Sequence, residues 1–497
     1  MPGMNTEEIL RTKPRGTLDE NEACLSAVFH LPENKDLVIR RFVSCGFEVM
    51  ILYVEGLSDG ERISECILQP CISKEWPKDI PEKEKRIEFL KNGGLFASQT
   101  SDAETMEDIV RGLVFGLCTV FAEGDTNALF VDVRKFPARP VNRTNNESVV
   151  MGSQEGFVES LRTNISLIRK NVRTPDLISD IFEIGGKTKM NCAILYIDKV
   201  ADDKSVKEAK RRLRSISGEG FIASGQVQQL IEDHPYSLFP QILQTERPDR
   251  ASAGLIEGQF AILTDNSPYA LMAPSTIFHF LHASDDTFMR WQYGTMLRIV
   301  RMIGVILSVF LPGIYIALTQ YHSHLLPMNL MTSIAEARAD VPFSVLGELL
   351  IMEFAFNLIN EAGTRIPSQI GSALGIVGAL ILGQAAVSAS IASPILIIIV
   401  AITGLGNFVV PSYSMSLGMQ IYRLMILLSG AAFGLYGIVI AAIALLAGIC
   451  SMRSFGSPYV SPVAPKRNRN ADIVLRLPLW LQKSRMFYSG KAGFNKA

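Results

Sequence analysis

Hydrophobic and polar positions follow two regimes along this chain. Up to about Arg301, short apolar runs alternate with stretches dense in Lys, Arg, Asp and Glu. Between Arg365 and Arg453 the one formal charge is Arg423. In the first regime, LVIRRFV (37–43) and FEVMILYVEG (47–56) are β-branched and aromatic and predict two strands around Cys45-Gly46. SDGERISECILQ (58–69) sets a Ser cap before apolar residues at helical spacing. PKDIPEKEKRIEF (77–89) reads as a solvated linker or exposed helix, and DAETMEDIVRGL (102–113) as a helix. GLVFGLCTVFAEG and NALFVDVRKF predict a hairpin around Gly124-Asp125. A second set follows: a helix in EGFVESLRTNISLIRKNV (155–172), a strand in KMNCAILYIDKV (189–200), and an exposed helix in DDKSVKEAKRRLRSI (202–216). GQFAILTDNSPYALMAP (258–274) closes it as a hairpin turning at Asp265-Asn266-Ser267.

The two sets echo each other. MILYVEGLSDGERISECI (50–67) matches AILYIDKVADDKSVKEAK (193–210) as strand, acidic residue, turn and helix, and NALFVDV (127–133) matches QFAILTD (259–265). The expectation is two related α/β lobes, 37–150 and 151–285, behind a polar lead segment 1–36. Strands leading into helices suggest partly parallel sheets, and the hairpins make them mixed.

The second regime is too apolar for a water-soluble bundle, whose helices need polar outer faces. It predicts an all-α transmembrane domain at 290–452, with spans at 302–319, 371–391, 394–411 and 424–450. The segment 343–363 is apolar yet contains Glu348, Glu353 and Glu361. It reads as re-entrant or as an amphipathic helix at the interface, and alternatively as a helix buried in protein. Basic residues before the first span and in the tail 453–497 put both ends on the cytosolic side, so the span number should be even; four full spans meet this, with five or six as the open alternatives. On that count Arg423 falls at the outer end of the last span.

Charge sharpens this division. Nine basic residues and one acid, Asp472, follow Ser451, so the tail is basic and the rest of the chain acidic. The tail reads first as a topology signal and second as a contact for anionic lipid. No DNA or RNA motif accompanies it, so nucleic acid is not an expected partner. The N-terminal stretch has no apolar core of the kind that marks a cleavable signal peptide. Seven scattered cysteines without a C-x-x-C pair read as free thiols, with no metal site and no disulfide framework.

Candidate chemistry is sparse. There is no P-loop, G-x-G-x-x-G, nucleophile elbow or metalloprotease motif, so no catalytic residue, cofactor or enzymatic activity is expected. His279 and His282, the most suggestive pair, read as a polar edge. Glu55 and Asp198, at strand ends in both lobes, are candidates for a ligand cleft or for turn and capping roles. Glu348, Glu353, Asn357 and Gln384 are polar groups in apolar segments and are the candidates for a pore or ion path.

Long stretches carry a family resemblance. GIVGALILGQAAVSASIASPILIIIVAITGLGNFVVPSYS (375–414) and FGLYGIVIAAIALLAGICSMRSFGSPYVSPVAP (433–465) resemble the A-subunit family of spore germination receptors, the GerA type of Bacillus and Clostridium. ESVVMGSQEGFVESLRTNISLIRKNV (147–172) and NLINEAGTRIPSQIGSALGIVGA (357–379) do so as well. The resemblance runs from about residue 35 to 465. It implies a protein of the inner spore membrane that works with a permease-like B subunit and a lipoprotein C subunit. It also implies conversion of nutrient binding into ion release and germination, through a homo-oligomer acting as a ligand-gated cation channel. A sporulation-stage paralogue of the same family and a secondary transporter remain the alternative readings.

Overall fold

A computed structural model describes residues 9–44, 46–73, 82–97, 99–135, 147, 151–187, 189–218, 220, 223–365, 381–465, 473, 475–478 and 480. The chain divides into two compact units. The first comprises Met1–Glu232, Ile242–Ser275 and Arg485–Ala497, and the second Asp233–Gln241 and Thr276–Ser484.

The first unit contains two five-stranded sheets of one topology, β1-β2-β4-β5-β3 and β6-β7-β9-β10-β8. In the first lobe the strands are β1 Leu37–Ser44, β2 Phe47–Val54, β3 Thr100–Ala103, β4 Cys118–Ala122 and β5 Ala128–Val131. Helix α1 is Leu18–Val28. Helix α2 runs through consecutive turns Gly60–Ile63, Ser64–Leu68 and Gln69–Ser73, α3 through Lys83–Lys85, Arg86–Phe89 and Leu90–Gly94, and α4 is Met106–Val114. Met50, Leu52, Phe121 and Phe130 on one face pack on Leu18, Leu25, Ile109 and Leu113 of α1 and α4. Val49, Ile51, Val120 and Leu129 on the other face meet Ile63, Ile67, Ile87 and Leu90 of α2 and α3. Burial on both faces explains why these strands read as continuous apolar runs.

The second lobe has α5 Leu161–Asn171, β6 Leu177–Ile184, β7 Met190–Ile197, α6 Asp203–Arg214, α7 Ser224–Ile231, β8 Leu243–Thr245, α8 Pro248–Glu257, β9 Phe260–Thr264 and β10 Ala270–Ala273. Every strand pairing in both sheets is antiparallel. This corrects the expectation of partly parallel sheets. After β2 the chain passes through two helices to the far edge of the sheet as β3, then returns through α4 to β4. Residues 102 and 103, expected at the start of a helix, belong instead to that edge strand.

The repeat extends to individual bonds. Asn21 accepts from the Arg15 N–H and donates to the Arg15 carbonyl, and Asn164 does the same with Val158. The first N–H of α1 meets Glu123 and that of α5 meets Asp265. The Glu55 N–H donates to the Asp36 carbonyl as Asp198 does to Asp176, each at 2.8 Å. Asp59 and Asp202 cap α2 and α6. Helix α1, expected within a polar lead segment, is therefore the counterpart of α5 and belongs to the first lobe's core.

The second unit is helical. It contains α9 Ile277–Leu281, α10 Asp285–Phe288, α11 Trp291–Gln320, α12 Met328–Ala337, α13 Val345–Arg365, α14 Pro394–Phe408 and α15 Tyr413–Ser451. Helices α11 and α15 are long and apolar enough to cross a membrane. Residues 381–388 are helical, whereas 371–380 of the expected second span lie outside the described residues. Val345, Leu349 and Met352 of α13 join a cluster with Tyr315, Ile316, Leu396, Val400 and Leu427. One face of the acidic segment is thus protein core.

Helix α15 corrects the expected last span. At Gly434 the backbone leaves the helical region, with φ 61° and ψ −143°. A Cβ on Gly437 would lie 2.1 Å from the Ser429 carbonyl oxygen, and one on Gly430 would lie 3.3 Å from the Ile438 side chain. Residues eight apart in a straight helix stand about 12 Å apart along its axis. The element is therefore a hairpin of two antiparallel arms, 413–433 and 435–451, about 30 and 25 Å long. Glycine is needed at 434 for its positive φ and at 437 for the close approach.

Candidate functional sites

Two places gather polar side chains that the fold has to accommodate. The first lies between the lobes of the α/β unit. A cleft of about 320 Å³ is lined by Tyr53, Glu55, Ser58, Asp59, Lys135 and Arg162, among others. Glu55 leaves the end of β2 and pairs with Arg162 of α5. Asp59 pairs with Lys135 at 3.1 Å while capping α2. Gly56, at φ +88°, lets α5 approach, because a Cβ there would lie 2.2 Å from the Ser166 hydroxyl. Two carboxylate–cation pairs thus face one opening, and a small ligand carrying both charges could exchange with either pair.

Below the cleft the lobes are joined by a buried clamp. Arg169 donates to Asp36 at 2.7 Å, to Asn34 at 3.0 Å and to the Leu177 carbonyl at 3.1 Å. Residues 30–36 run along the second lobe: Lys35 pairs with Asp180, and Tyr196 donates to Glu33 at 2.9 Å. His30 meets Asp176 at 3.4 Å. That hydrogen bond raises the imidazole pKa above its usual 6.5, helped by the nearby Asp198 charge. The same bond holds Asp176 below the usual carboxylate value. Asp198 does not line the cleft; it faces His30. Of the two sequence candidates, only Glu55 therefore reaches the opening.

The second place is inside the helical unit. Glu353 on α13 receives both sides of the Arg423 guanidinium, with contacts of 2.9 and 2.8 Å. Arg423 also reaches the Ser308 hydroxyl of α11 at 3.5 Å. All three residues are buried. This corrects the expected position of Arg423 at the outer end of a span: it lies well inside the first arm of α15. Asn357, one turn beyond Glu353, and Asn407 on α14 each bury an oxygen without a hydrogen-bond donor. Glu348 is also buried but has other partners. It accepts from the Ser393 N–H at the start of α14 and pairs with Arg338 at 3.3 Å, so its charge caps a helix. Gln384 is exposed on its helix and joins neither acid.

The remaining candidates have structural roles. The ring of His279 accepts from the Thr276 N–H and closes a capping box on α9. His282 meets the Ile473 carbonyl at 2.8 Å. Burial pushes the Cys118 and Cys192 thiols well above their usual pKa, which keeps them unreactive. Among the described residues no group of three His, Cys, Asp or Glu could hold a metal ion.

Comparison with known proteins gives these sites a context. Residues 25–488 match the family model for the Bacillus/Clostridium GerA spore germination protein. The chain is 37% identical to the uncharacterized membrane protein YfkQ of Bacillus subtilis (strain 168), over 90% of this chain and 87% of that one. It is 36% identical to spore germination protein KA of the same strain, over 88% and 79% of the two chains. To spore germination protein GerLA of Bacillus cereus it is 34% identical, over 91% and 92%. Among solved structures, the crystal structure of the N-terminal domain of the A subunit of the Bacillus megaterium spore germinant receptor GerK3 aligns at 28% identity. It covers 54% of this chain and 98% of that one, with a TM-score of 0.43.

Proposed function

The chain belongs to the GerA family of spore germination proteins, and from that premise we propose that it is the A subunit of a nutrient-germinant receptor. On this reading it sits in the inner spore membrane with the α/β lobes, 37–150 extended back by α1 and 151–285, on the cytosolic side. It works with a permease-like B subunit and a lipoprotein C subunit, and copies of it assemble into a ligand-gated cation channel. The observation that carries the channel reading is the Glu353–Arg423 pair with Ser308. Buried ion pairs contribute little net stability, so a membrane anchor has no need of one. A gate that must change state gains from a polar contact that can be exchanged. Glu353, with Asn357 beside it, is the residue assigned to the ion path. Glu348 holds α14 in place, and Gln384 faces away from the protein. The inter-lobe cleft at Glu55 is the candidate ligand opening on this chain.

The test is made on spores in which this chain is the family's sole member. They are challenged with a panel of amino acids, glucose and nucleosides. Glu353→Gln is expected to change the rate of potassium and dipicolinate release while the chain still accumulates with its partners. Release at the parental rate would remove Glu353 from the path. Conductance of the purified oligomer in a planar bilayer separates a channel from a transporter. The sporulation-stage paralogue of the same family is the second reading. A neighbouring permease-like gene and a lipoprotein gene would decide for the receptor.

A further inference from the structure

Residues 233–241 lie between α7 and β8 of the second lobe, yet they pack with the helical unit. The repeat makes this departure visible. In the first lobe the corresponding connection, from α3 to β3, is only 95–99, whereas in the second it spans 232–242. The longer connection is a closed loop. Gln241 is buried and staples it, accepting from the His234 N–H at 2.9 Å and donating to the His234 carbonyl at 2.7 Å.

This loop holds the base of the α15 hairpin at both arms. On the first arm the Phe239 ring stacks on Tyr422, with centroids 4.5 Å apart and planes 18° apart. Gly418 admits the loop backbone, since a Cβ there would lie 2.3 Å from the Leu238 carbonyl oxygen. Beyond the second arm, Ser237 donates to the Met452 sulfur at 3.4 Å. The Ser454 hydroxyl donates to the Gln241 carbonyl at 2.8 Å, and the fully buried Tyr459 donates to the Pro240 carbonyl at 2.7 Å. Tyr422 is followed by Arg423, the partner of Glu353.

We propose that loop 233–241 is the transmission element by which the α/β unit acts on the buried Glu353–Arg423 pair. The loop is covalently continuous with the second lobe at both ends. Its displacement must therefore move Tyr422 or break the aromatic stack. The turn at Gly434 holds the far end of the hairpin, so a shift at the base changes the splay of the arms and the setting of Arg423. This inference rests on the receptor reading and adds the route by which the signal travels.

The decisive variant leaves every contact in place and slackens the connection. Gly-Ser-Gly is inserted both between Glu232 and Asp233 and between Gln241 and Ile242 of the full chain. Potassium release is measured per accumulated copy, in spores where this chain is the family's sole member, with the same nutrient panel. Release is expected to slow by roughly 5- to 150-fold, the range of a typical coupling between sites. The same insertion between Leu95 and Phe96 should leave it unchanged. Should the double insertion prevent accumulation, Phe239→Leu keeps the burial and loses the stack. Its expected effect is a slowing of about two- to tenfold per copy. A rate per copy within about twofold of the parent would overturn the proposal. The receptor reading fails separately, if spores lacking the chain altogether respond to the panel like the parent.

Discussion

Arg423 is the only formal charge between Arg365 and Arg453, and its side chain is buried against Glu353. Removing one member of such a pair strands the other charge in an apolar surround, at a cost of about 3–5 kcal/mol. Arg423→Leu is accordingly expected to lower the stability of the detergent-solubilised chain by that amount. The double change Glu353→Leu with Arg423→Leu should recover most of it, to within about 1–2 kcal/mol, while ion release stays impaired. A double variant as unstable as the single would show that the pair is not what Arg423 contributes. His30 makes a different prediction at the lobe interface. Its imidazole pKa is raised, so its contribution is complete below 6.5 and fades as pH rises through the higher folded value. Asp176, held low, contributes above 3.8 and loses its effect only as pH falls through its own depressed value. Asp198 supports the charged imidazole and Lys199 opposes it. The melting temperature of the intact chain should therefore decline from about pH 6 to pH 8, and His30→Gln should flatten that decline. An equal decline in the variant would remove His30 as its source.

At the scale of elements, the hairpin rests on two glycine positions. A Cβ at 437 would meet a backbone oxygen, which cannot rotate away, whereas a Cβ at 448 would meet nothing within 4 Å. Gly437→Ala is expected to destabilise by about 1–3 kcal/mol. Gly448→Ala should be neutral, or stabilising by up to about 1 kcal/mol. Thermal unfolding of the two variants side by side measures the difference, and equal melting would mean that the arms do not close there. This turn escaped the sequence because it contains no polar break. The apolar run simply continues through Gly434, and the reversal is made by close contact between the arms. Strands β2, β4, β7 and β9 were legible for the opposite reason: burial on both faces leaves an unbroken apolar signature. Strand β6 was hidden, since Ser179 and Asp180 interrupt its pattern. The burial of Asp180 makes sense only with Lys35 and Lys210 in place, and those partners lie far along the chain. Helix α8, opened by Pro248, and the short strand β8 carried too few periodic positions to be read.

For the whole molecule, the hairpin changes the arithmetic of the membrane domain. Both arms return to loop 233–241, so residues 413 and 451 are expected on one side, and 413–451 is expected to contribute two crossings in place of one. With crossings at 302–319, 371–391 and 394–411 the count becomes odd. Flanking charge still argues for both ends of the domain on one side. The acidic segment restores an even number by crossing as well. Helix α13 is about 30 Å long, which suffices. Its two inner acids do not forbid it, because Glu348 caps α14 and Glu353 holds Arg423, so neither charge is presented to lipid. The third, Glu361, is exposed and lies four residues from the helix end, where a crossing would meet the interface. From the sequence alone 343–363 reads equally as re-entrant, interfacial or buried in protein, because the partners of Glu348 and Glu353 lie 45 and 70 residues away. Six crossings are therefore expected. In sealed vesicles carrying the full chain, a membrane-impermeant maleimide should reach Phe343→Cys and Ala362→Cys from opposite sides. Tyr413→Cys and the native Cys450, exposed at the end of the second arm, should react from the same side, and Phe433→Cys from the other. Labelling of positions 343 and 362 from one side would return α13 to the interface and leave the parity to be met elsewhere. Labelling of 413 and 450 from opposite sides would undo the hairpin itself, and with it the common base on which loop 233–241 acts.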